Sequence, residues 1–218
     1  MDLFQVYYKV YGKDGEQGTK RKASPTKFSP KKAKVSDDVE TYPSLPTVTW
    51  DRLQLIKEIG AGEYGTTSLY NLTLENGDIT EVAVKVLHDD TPVTCEARVL
   101  YELAGAGGAP LLYGVTSDPP AIVMEFIHGV PLFAVDQLEE AYEATVDAVY
   151  EFHAAGFCHL DIHPGNIIVD TSTSPYTAHL IDVGGSKKIP ADTTGANDVK
   201  EIDWTSVSII YDDFNSSD

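Results

Sequence analysis

Cysteines, basic residues and long apolar runs are all scarce in this chain of 218 residues. Its two cysteines, Cys95 and Cys158, are too few for a disulfide framework and indicate a reducing compartment. No apolar run approaches the roughly eighteen residues of a membrane-spanning helix, and the first residues do not have the basic and apolar character of a signal peptide. We therefore expect a soluble, intracellular protein that has no membrane partner.

The few basic residues are also unevenly placed. Lys and Arg together number 16 against 34 Asp and Glu, and nine of those 16 lie in residues 1–34. The rest of the chain carries seven basic and 31 acidic residues, so it should repel nucleic acid and anionic membrane surfaces. No direct nucleic-acid partner is therefore expected for this acidic part.

Residues 1–46 are predicted to be a disordered basic tail, because Lys, Ser, Pro and Thr dominate from residue 13 onwards. Two basic clusters, at 20–22 and 31–34, are separated by a short polar spacer. This arrangement resembles a nuclear localisation signal, although short Lys-rich stretches also occur in tails that are merely solvated. The first alternative predicts a nuclear protein and the second a cytoplasmic one.

Apolar periodicity begins near Val48 and predicts three strands, from Leu53 to Ile59, at 66–74 and at 81–87. An Asn-Gly turn at 76–77 joins the last two strands. A glycine-rich stretch, Gly-Ala-Gly-Glu-Tyr-Gly at 60–65, separates the first two. In a dinucleotide-binding fold such glycines lead into a helix, whereas here they lead into a strand.

The later part of the chain combines helical and strand patterns. A helix is predicted at 94–103, with a cap at Thr91 or Thr94, and strands are predicted at 110–115 and 121–125. A longer amphipathic helix follows at 138–155, and Gly156 ends it. With 42% hydrophobic residues, the chain can form one good core or two small lobes that share a cleft.

The stretch 157–170 concentrates the residue types of a reactive site. His159, Asp161, His163 and Asn166 lie in a short turn between the long helix and a predicted strand at 167–169. An Asp followed five residues later by an Asn suits phosphoryl transfer, in which one side chain orients the attacking hydroxyl and the other holds a cation on the phosphates. Asp161 and Asn166 have this spacing.

These residues resemble the catalytic loop H-R-D-x-x-x-x-N of the protein kinase-like superfamily, and the His-Pro-Gly-Asn part looks more like atypical and aminoglycoside phosphotransferase-type kinases. The resemblance implies an α+β, bilobal fold. It implies an N-lobe of an antiparallel sheet plus a helix, with the hinge, in 47–127, and a mainly helical C-lobe in 128–218. Asp203 looks like the opening of the central C-lobe helix. Because no A-P-E motif follows before the chain stops, we expect a reduced C-lobe that a protein partner could complete.

The same resemblance implies a site for ATP. The residues that it assigns to ATP are Gly60, Gly62, Gly65, Lys85, Glu96, Glu125 and Ile127. The glycines would cover the phosphates, and Lys85, in the motif Val-Ala-Val-Lys, would orient them. Glu96 would pair with Lys85 from the following helix, and Glu102 is the alternative partner. The hinge backbone would bind adenine.

The resemblance also assigns the catalytic and metal-binding residues. Asp161 would position the acceptor hydroxyl, while Asn166 would hold Mg²⁺ together with Asp182, which stands where kinases carry D-F-G. His163 either donates to the transferring phosphoryl group or braces the loop. Leu160 replaces the Arg of H-R-D, so switching through a phosphorylated activation loop is not expected to use that position.

Three functions remain open at this point. The favoured one is an ATP-dependent kinase that acts on protein Ser/Thr hydroxyls, slightly ahead of a small-molecule acceptor. The second is a pseudokinase that serves as a binding module. The third takes the motif His159-x-Asp161-x-His163, with His153, as the metal cluster of a hydrolase. The order of the motifs along the chain favours the kinase.

Overall fold

A five-stranded antiparallel sheet begins the described part of the chain. The computed structural model describes residues 44–62, 65–88 and 93–215. The predictions of disorder and of a nuclear localisation signal fall almost entirely on residues 1–43, which lie outside that range. The strands follow the order β1-β2-β3-β5-β4. Their bounds are β1 (Leu53–Ala61), β2 (Gly65–Thr73), β3 (Ile79–Leu87), β4 (Leu112–Ser117) and β5 (Pro120–Glu125).

Both faces of this sheet are covered near its centre. On one face Val82 and Val84 of β3 pack with Val48 and Leu72. Ala83, on the other face, belongs to the main core. This double burial explains why Val82, Ala83 and Val84 are apolar in succession rather than alternating with polar residues. At the other end of the hairpin, Gly77 has a φ of +89°, as the predicted Asn-Gly turn requires.

Three α-helices complete the regular structure, α1 (Val93–Leu103), α2 (Leu138–Ala154) and α3 (Thr193–Asn215). Helix α1 begins before Thr94, so this residue cannot be its N-cap, and Thr91 lies outside the described residues. Helix α2 ends as predicted, because the N–H of Gly156 donates to the carbonyl of His153 and Gly156 has a φ of +89°. The prediction for α3 is wrong in its start, since Asp203 lies ten residues inside the helix.

The remaining strands form two small antiparallel sheets. One contains β6 (Val130–Pro131), β8 (Ile167–Asp170) and β9 (Thr177–Leu180), and the other pairs β7 (Phe157–Cys158) with β10 (Lys187–Lys188). The predicted catalytic loop connects β7 to β8. Each end of the loop is therefore held in a different sheet, which fixes the loop over the core.

One apolar core links the five-stranded sheet, α1, α2 and the strands β8 and β9. Phe152, Ile167 and Leu180 are completely buried within it. Gly107 and Gly108, between α1 and β4, bring the backbone close to α2 and β9. None of the helices in the described ranges combines the length and the apolar character that spanning a membrane would require.

The α+β fold class, with an antiparallel sheet in the N-terminal part, is confirmed. The division into two lobes near residue 127 stays a prediction, and the residues from Leu45 onwards group into one compact unit. That unit contains every residue that was predicted to form the site.

Candidate functional site

Lys85 lies at the centre of the site, where it contacts two carboxylates. Its Nζ donates to both carboxylate oxygens of Glu96, at 3.0 and 2.9 Å, and to Oδ1 of Asp182 at 2.6 Å. Only 7% of Lys85 is exposed. Burial alone would lower the pKa of Lys85, but the charges of Glu96 and Asp182 outweigh it and raise the pKa above its ordinary value. The ammonium is therefore charged at any physiological pH.

Glu96, rather than Glu102, is the partner of Lys85. Glu96 lies in the first turn of α1 and faces the sheet, whereas Glu102, in the last turn, pairs with Lys188 at 2.7 Å. The residue before Glu96, Cys95, points to solvent. The two glutamates are six positions apart and therefore lie at different heights along the helix, so only one can reach β3.

Asp182 reaches Lys85 because the backbone turns sharply after β9. Asp182 has a φ of +58°, and a 3₁₀ turn from Val183 to Gly185 follows it. Val183, which replaces the Phe of D-F-G, is completely buried. A Cβ on Gly184 would lie 3.2 Å from Oε2 of Glu96, so the absence of a side chain there lets α1 approach.

Asn166 fixes the orientation of Asp161. Its amide Nδ2 donates to the carbonyl oxygen of Asp161 at 3.0 Å and to Oδ2 at 3.2 Å. Both backbone groups of Asn166 also form hydrogen bonds. Its N–H donates to the carbonyl of His163, and its carbonyl accepts from the N–H of Ile181. Asn166 is buried while Asp161 is exposed, so the loop presents one carboxylate to solvent on a rigid support.

Asp203 was not predicted as a site residue, although it organises the start of the catalytic loop. Its carboxylate is completely buried and accepts from the N–H of His159 at 2.8 Å and from the N–H of Leu160 at 2.7 Å. His153 Nε2 lies 2.8 Å from the same carboxylate. Leu160 has a φ of +66°, a conformation that costs about 1 kcal/mol or more for a residue with a Cβ. The two hydrogen bonds stabilise that conformation.

His159 is held as a neutral imidazole. Its Nε2 donates to the carbonyl of Ile181 at 3.0 Å, and its Nδ1 accepts from the N–H of Asp161. Burial lowers the pKa of His159, against smaller opposing effects of the Ile181 hydrogen bond and the nearby carboxylates. Because both ring nitrogens bond to the backbone, the predicted hydrolase cluster of His159, Asp161 and His163 does not form.

Among the described residues, the only close group of metal-ligand side chains is His153, Cys158 and Asp203. The carboxylate of Asp203 already accepts three hydrogen bonds there. Burial, together with the charge of Asp203, raises the pKa of Cys158 to about 11. The hydrogen bonds of Asp203 to the backbone place this group at the start of the loop.

His163 accepts a hydrogen bond from the backbone of its own loop, and both of its predicted roles stay predictions. Its Nδ1 accepts from the N–H of Gly165 at 3.1 Å. Burial lowers the pKa of His163, although the charges of Asp161 and Asp182 oppose the shift. The neutral ring therefore carries its proton on Nε2.

The predicted glycines lie at the turn between β1 and β2. Gly60 pairs with Thr67, which in turn pairs with Lys85, so these three residues form one row across the sheet. The N–H of Gly62 donates to the carbonyl of Gly65 at 2.9 Å. A Cβ on Gly65 would lie 2.5 Å from the carbonyl oxygen of Val86, so Gly65 is also required for packing.

The predicted hinge follows β5. The N–H of Glu125 donates to the carbonyl of Leu111 at 2.8 Å, and its carboxylate accepts from the N–H of Leu111. The N–H of Glu125 is thus used by the fold, so any contact of this residue with adenine would use its carbonyl. Met124, just before it, is buried, and Ile127, just after β5, is partly exposed.

Asp182 and Asn166 offer oxygen ligands of the kind that Mg²⁺ prefers. The Asp182 side chain is 44% exposed, so its carboxylate is accessible to solvent. The amide nitrogen of Asn166 donates to Asp161, and the amide oxygen is the atom that can ligate a cation. The donor set therefore fits the predicted metal.

Residues 108–198 match a sequence model of a family described as the ABC1 atypical kinase-like domain. Among curated proteins, discoidin domain-containing receptor tyrosine kinase B of Caenorhabditis elegans is 28% identical over 74% of this chain and 21% of its own length. Casein kinase II subunit alpha' of Saccharomyces cerevisiae is 25% identical over 66% of this chain and 45% of its own.

The DNA damage-responsive serine/threonine-protein kinase RqkA of Deinococcus radiodurans is 27% identical over 63% of this chain and 23% of its own length. The chain thus spans between about a fifth and just under half of the curated relatives that it matches. The matches agree with the antiparallel sheet, the following helix and the order of the motifs. Together these matches support the similarity of the chain to the protein kinase-like superfamily.

Proposed function

We propose that this protein transfers the γ-phosphoryl group of ATP to a hydroxyl acceptor. The observation that carries the proposal is the position of Lys85, which joins Glu96 of α1 to Asp182 after β9. In kinases, the corresponding Lys–Glu pair and Asp must both be in place for transfer. Carboxylates from two other segments converge on the buried ammonium of Lys85, an arrangement that favours a functional site over an isolated surface ion pair.

Asp161 orients the acceptor in this proposal. Its carboxylate is exposed, and Asn166 holds Oδ2, so Oδ1 can face an incoming hydroxyl and accept its proton. The charged Lys85 pairs with the phosphates, and the backbone at Gly60 and Gly62 lets them approach because no side chain intervenes. Catalysis then comes from position and charge, which are the main contributions in phosphoryl transfer.

Asn166 and Asp182 are the residues that would hold Mg²⁺. When bound, the cation supplies charge neutralisation at the phosphate oxygens. Donation from His163 to the transferring phosphoryl group stays a prediction of the resemblance, beside the hydrogen bond from Gly165 to its Nδ1.

A protein Ser/Thr hydroxyl is the first candidate acceptor. Support comes from the names of two relatives, the serine/threonine-protein kinases RqkA of Deinococcus radiodurans and Pkn1 of Myxococcus xanthus, whereas the receptor tyrosine kinase supports a protein acceptor only in general. The hairpin, the Val-Ala-Val-Lys strand and the hinge stretch also resemble protein kinases.

A small-molecule hydroxyl is the second candidate. The similarity to the ABC1 atypical kinase-like domain covers the catalytic loop and Asp182. Only twenty residues separate Asp182 from Asp203, and they form β10 and the start of α3. Protein kinases place the activation loop and A-P-E after D-F-G, and this chain leaves little length for them.

Transfer from radiolabelled ATP tests the proposal. Purified protein is incubated with ATP and Mg²⁺, first with a peptide array and then with a panel of hydroxylated small molecules. Asp161→Asn and Asp182→Asn should each lower transfer by about 100-fold or more, because each removes a charge that acts in the transition state. Asp147→Asn, on the exposed face of α2, is the matched control and should leave transfer unchanged.

If both site variants transfer phosphate at the same rate as the wild type, the enzyme assignment is contradicted. Nucleotide-dependent stabilisation without any transfer would favour the pseudokinase. Labelling of peptides alone, or of small molecules alone, would decide between the two acceptor classes.

A further inference from the structure

We propose that the ion pair between Glu102 and Lys188 is a clasp that holds α1 where Glu96 can reach Lys85. Oε2 of Glu102 lies 2.7 Å from Nζ of Lys188. The inference rests on the proposed function, because the position of α1 matters to activity only if the Lys85–Glu96 pair orients a nucleotide. Glu102 and Lys188 are positioning residues that act through Glu96.

Two contacts join α1 to the segment that follows Asp182. In the first turn of α1, Glu96 lies over Gly184, where an added Cβ would lie 3.2 Å from Oε2. In the last turn, Glu102 contacts Lys188 of β10. Six residues of helix separate the contacts by about 9 Å along the axis. Two contacts at different heights fix the rotation of the helix as well as its distance from the segment.

The clasp also connects α1 to the catalytic loop. Lys188 is opposite Phe157 in the pairing of β10 with β7, and its Nζ lies 6.0 Å from the centre of the Phe157 ring. Strand β7 leads directly into the loop that carries Asp161. One side-chain contact thus ties together the segments that carry Glu96, Asp182 and Asp161.

A permanent clasp explains how the Lys85–Glu96 pair can form without phosphorylation. In protein kinases, activation-loop phosphorylation controls the position of the helix that carries this Glu, through new contacts with Arg. Here Leu160 occupies the position of the catalytic-loop Arg, and few residues lie between Asp182 and α3. A carboxylate–ammonium pair within the chain takes the place of a phosphate–arginine pair.

A charge-swap series tests the clasp in the full chain. The variants are Glu102→Lys, Lys188→Glu and the double variant that carries both. Lys187→Glu is the matched control, since Lys187 is the exposed neighbour in β10 and its side chain points to the other face. The first measurement is the rate at which a small amine-reactive acylating reagent modifies Lys85, read by peptide mass spectrometry.

Each single variant should raise the rate of Lys85 modification about two- to five-fold, the range expected for losing a partly exposed ion pair. The double variant should return to the wild-type rate, and Lys187→Glu should not differ from it. A contact that does not position α1 would leave the rate of Lys85 modification the same in the single variants, the double variant and the control. Unchanged Lys85 modification in both single variants, or a double variant that is as reactive as the worse single one, would overturn the clasp.

Phosphoryl transfer is the second measurement. The single variants should lower kcat by a similar factor, with recovery in the double variant, and phosphatase treatment of the wild type should leave its activity unchanged. Loss of activity on phosphatase treatment would overturn the clasp as the substitute for phosphorylation. If the wild type transfers no phosphate to any acceptor, the proposed function fails, while the Lys85 modification series still decides whether the clasp exists.

Discussion

Asp203 accepts hydrogen bonds from His153 and from the backbone of His159 and Leu160, so one carboxylate sets the course of the catalytic loop. Asp203→Asn would turn one acceptor oxygen into a donor that faces an N–H group. We expect the free energy of unfolding to fall by about 2–3 kcal/mol, as for other buried hydrogen bonds to a charged group. Urea denaturation measures the change, and Asp147→Asn, which is exposed, should leave the free energy within about 0.5 kcal/mol of wild type.

The same carboxylate should make stability depend on pH in the acid range. Burial alone would raise the pKa of Asp203, but hydrogen bonds from His153, Leu160 and His159 lower it below its ordinary value. A folded pKa below the unfolded one means that the stabilisation is complete above about pH 4 and is lost as pH falls towards the folded value. The difference in unfolding free energy between wild type and Asp203→Asn should therefore narrow below pH 4. If the difference in unfolding free energy stays constant down to pH 2.5, the pKa of Asp203 is not the source of the acid dependence.

His159 should make stability depend on pH in the neutral range, because it is a base that the fold keeps unprotonated. Burial lowers the pKa of His159, so the unfolded chain takes up a proton below about pH 6.5 while the folded chain does not. Stability should fall from pH 7 to pH 5, by at most about 1.4 kcal/mol per pH unit from this residue. His159→Asn removes the titrating group, and its unfolding free energy should change less over the same range. Parallel pH profiles for the two proteins would rule out His159 as a source.

Single residues differ in how far the sequence predicts them. Asp161 and Asn166 lie within one short motif, so their spacing is visible without a fold. To choose between Glu96 and Glu102, one must know which of them faces the sheet. Periodicity does not decide this, because both glutamates border the apolar side of α1. Asp203 acts on residues more than forty positions earlier, and only the packing of α3 against β7 brings them together. The signal that the sequence offered was an Asp directly between two apolar residues, Ile202 and Trp204.

At the scale of elements, the connection between α1 and β4 packs its glycines against α2 and β9. A Cβ on Gly108 would lie 2.5 Å from the carbonyl oxygen of Ala178, and Gly108 has a φ of +65°. Gly156 also has a positive φ, +89°, but an added Cβ would meet no atom within 4 Å. Gly108→Ala should therefore cost about 2–3 kcal/mol of unfolding free energy, and Gly156→Ala only about 1 kcal/mol. If thermal or urea unfolding shows equal losses of unfolding free energy in the two variants, β9 must move enough to accommodate the added Cβ.

The helices and strands that the sequence predicts have local signals such as apolar periodicity or a turn glycine. The elements that it does not predict lack such signals. The strands of the five-stranded sheet and helices α1 and α2 have periodic apolar residues and turn or end signals, such as Gly77 and Gly156. Strands β6, β7 and β10 have only two residues each, so their existence depends on distant pairing partners. Helix α3 begins in a polar stretch at Thr193, where no apolar periodicity marks the first turns.

At the scale of the whole molecule, charge separates a basic N-terminal stretch from an acidic remainder. If the clusters at 20–22 and 31–34 direct nuclear import, a fluorescent fusion of the full chain should concentrate in nuclei. Replacing Lys20, Arg21 and Lys22 by Ala should redistribute the fusion to the cytoplasm, as seen by microscopy. The matched control replaces three basic residues of the acidic part, Lys57, Lys187 and Lys200, and should remain nuclear. Equal distribution of all three proteins would leave the basic stretch without this role.

The superfamily could be predicted from sequence because its motifs occur in a fixed order along the chain. The sheet and the catalytic loop then follow from the resemblance, and the structure brings Lys85, Glu96 and Asp182 together. The contact between Glu102 and Lys188 could not be predicted, since it joins two elements that are distant in sequence through exposed side chains. Acceptor identity depends on surfaces outside the motifs.

The two cysteines make the protein suitable for single-site labelling without mutagenesis. Cys95 is exposed beside Glu96, while Cys158 is buried and its pKa of about 11 leaves almost no thiolate to react. A maleimide fluorophore would therefore attach to the first turn of α1, adjacent to the ion pair with Lys85. If the chain binds nucleotide as proposed, the emission of this fluorophore should change on binding beside Lys85, on a chain of native sequence.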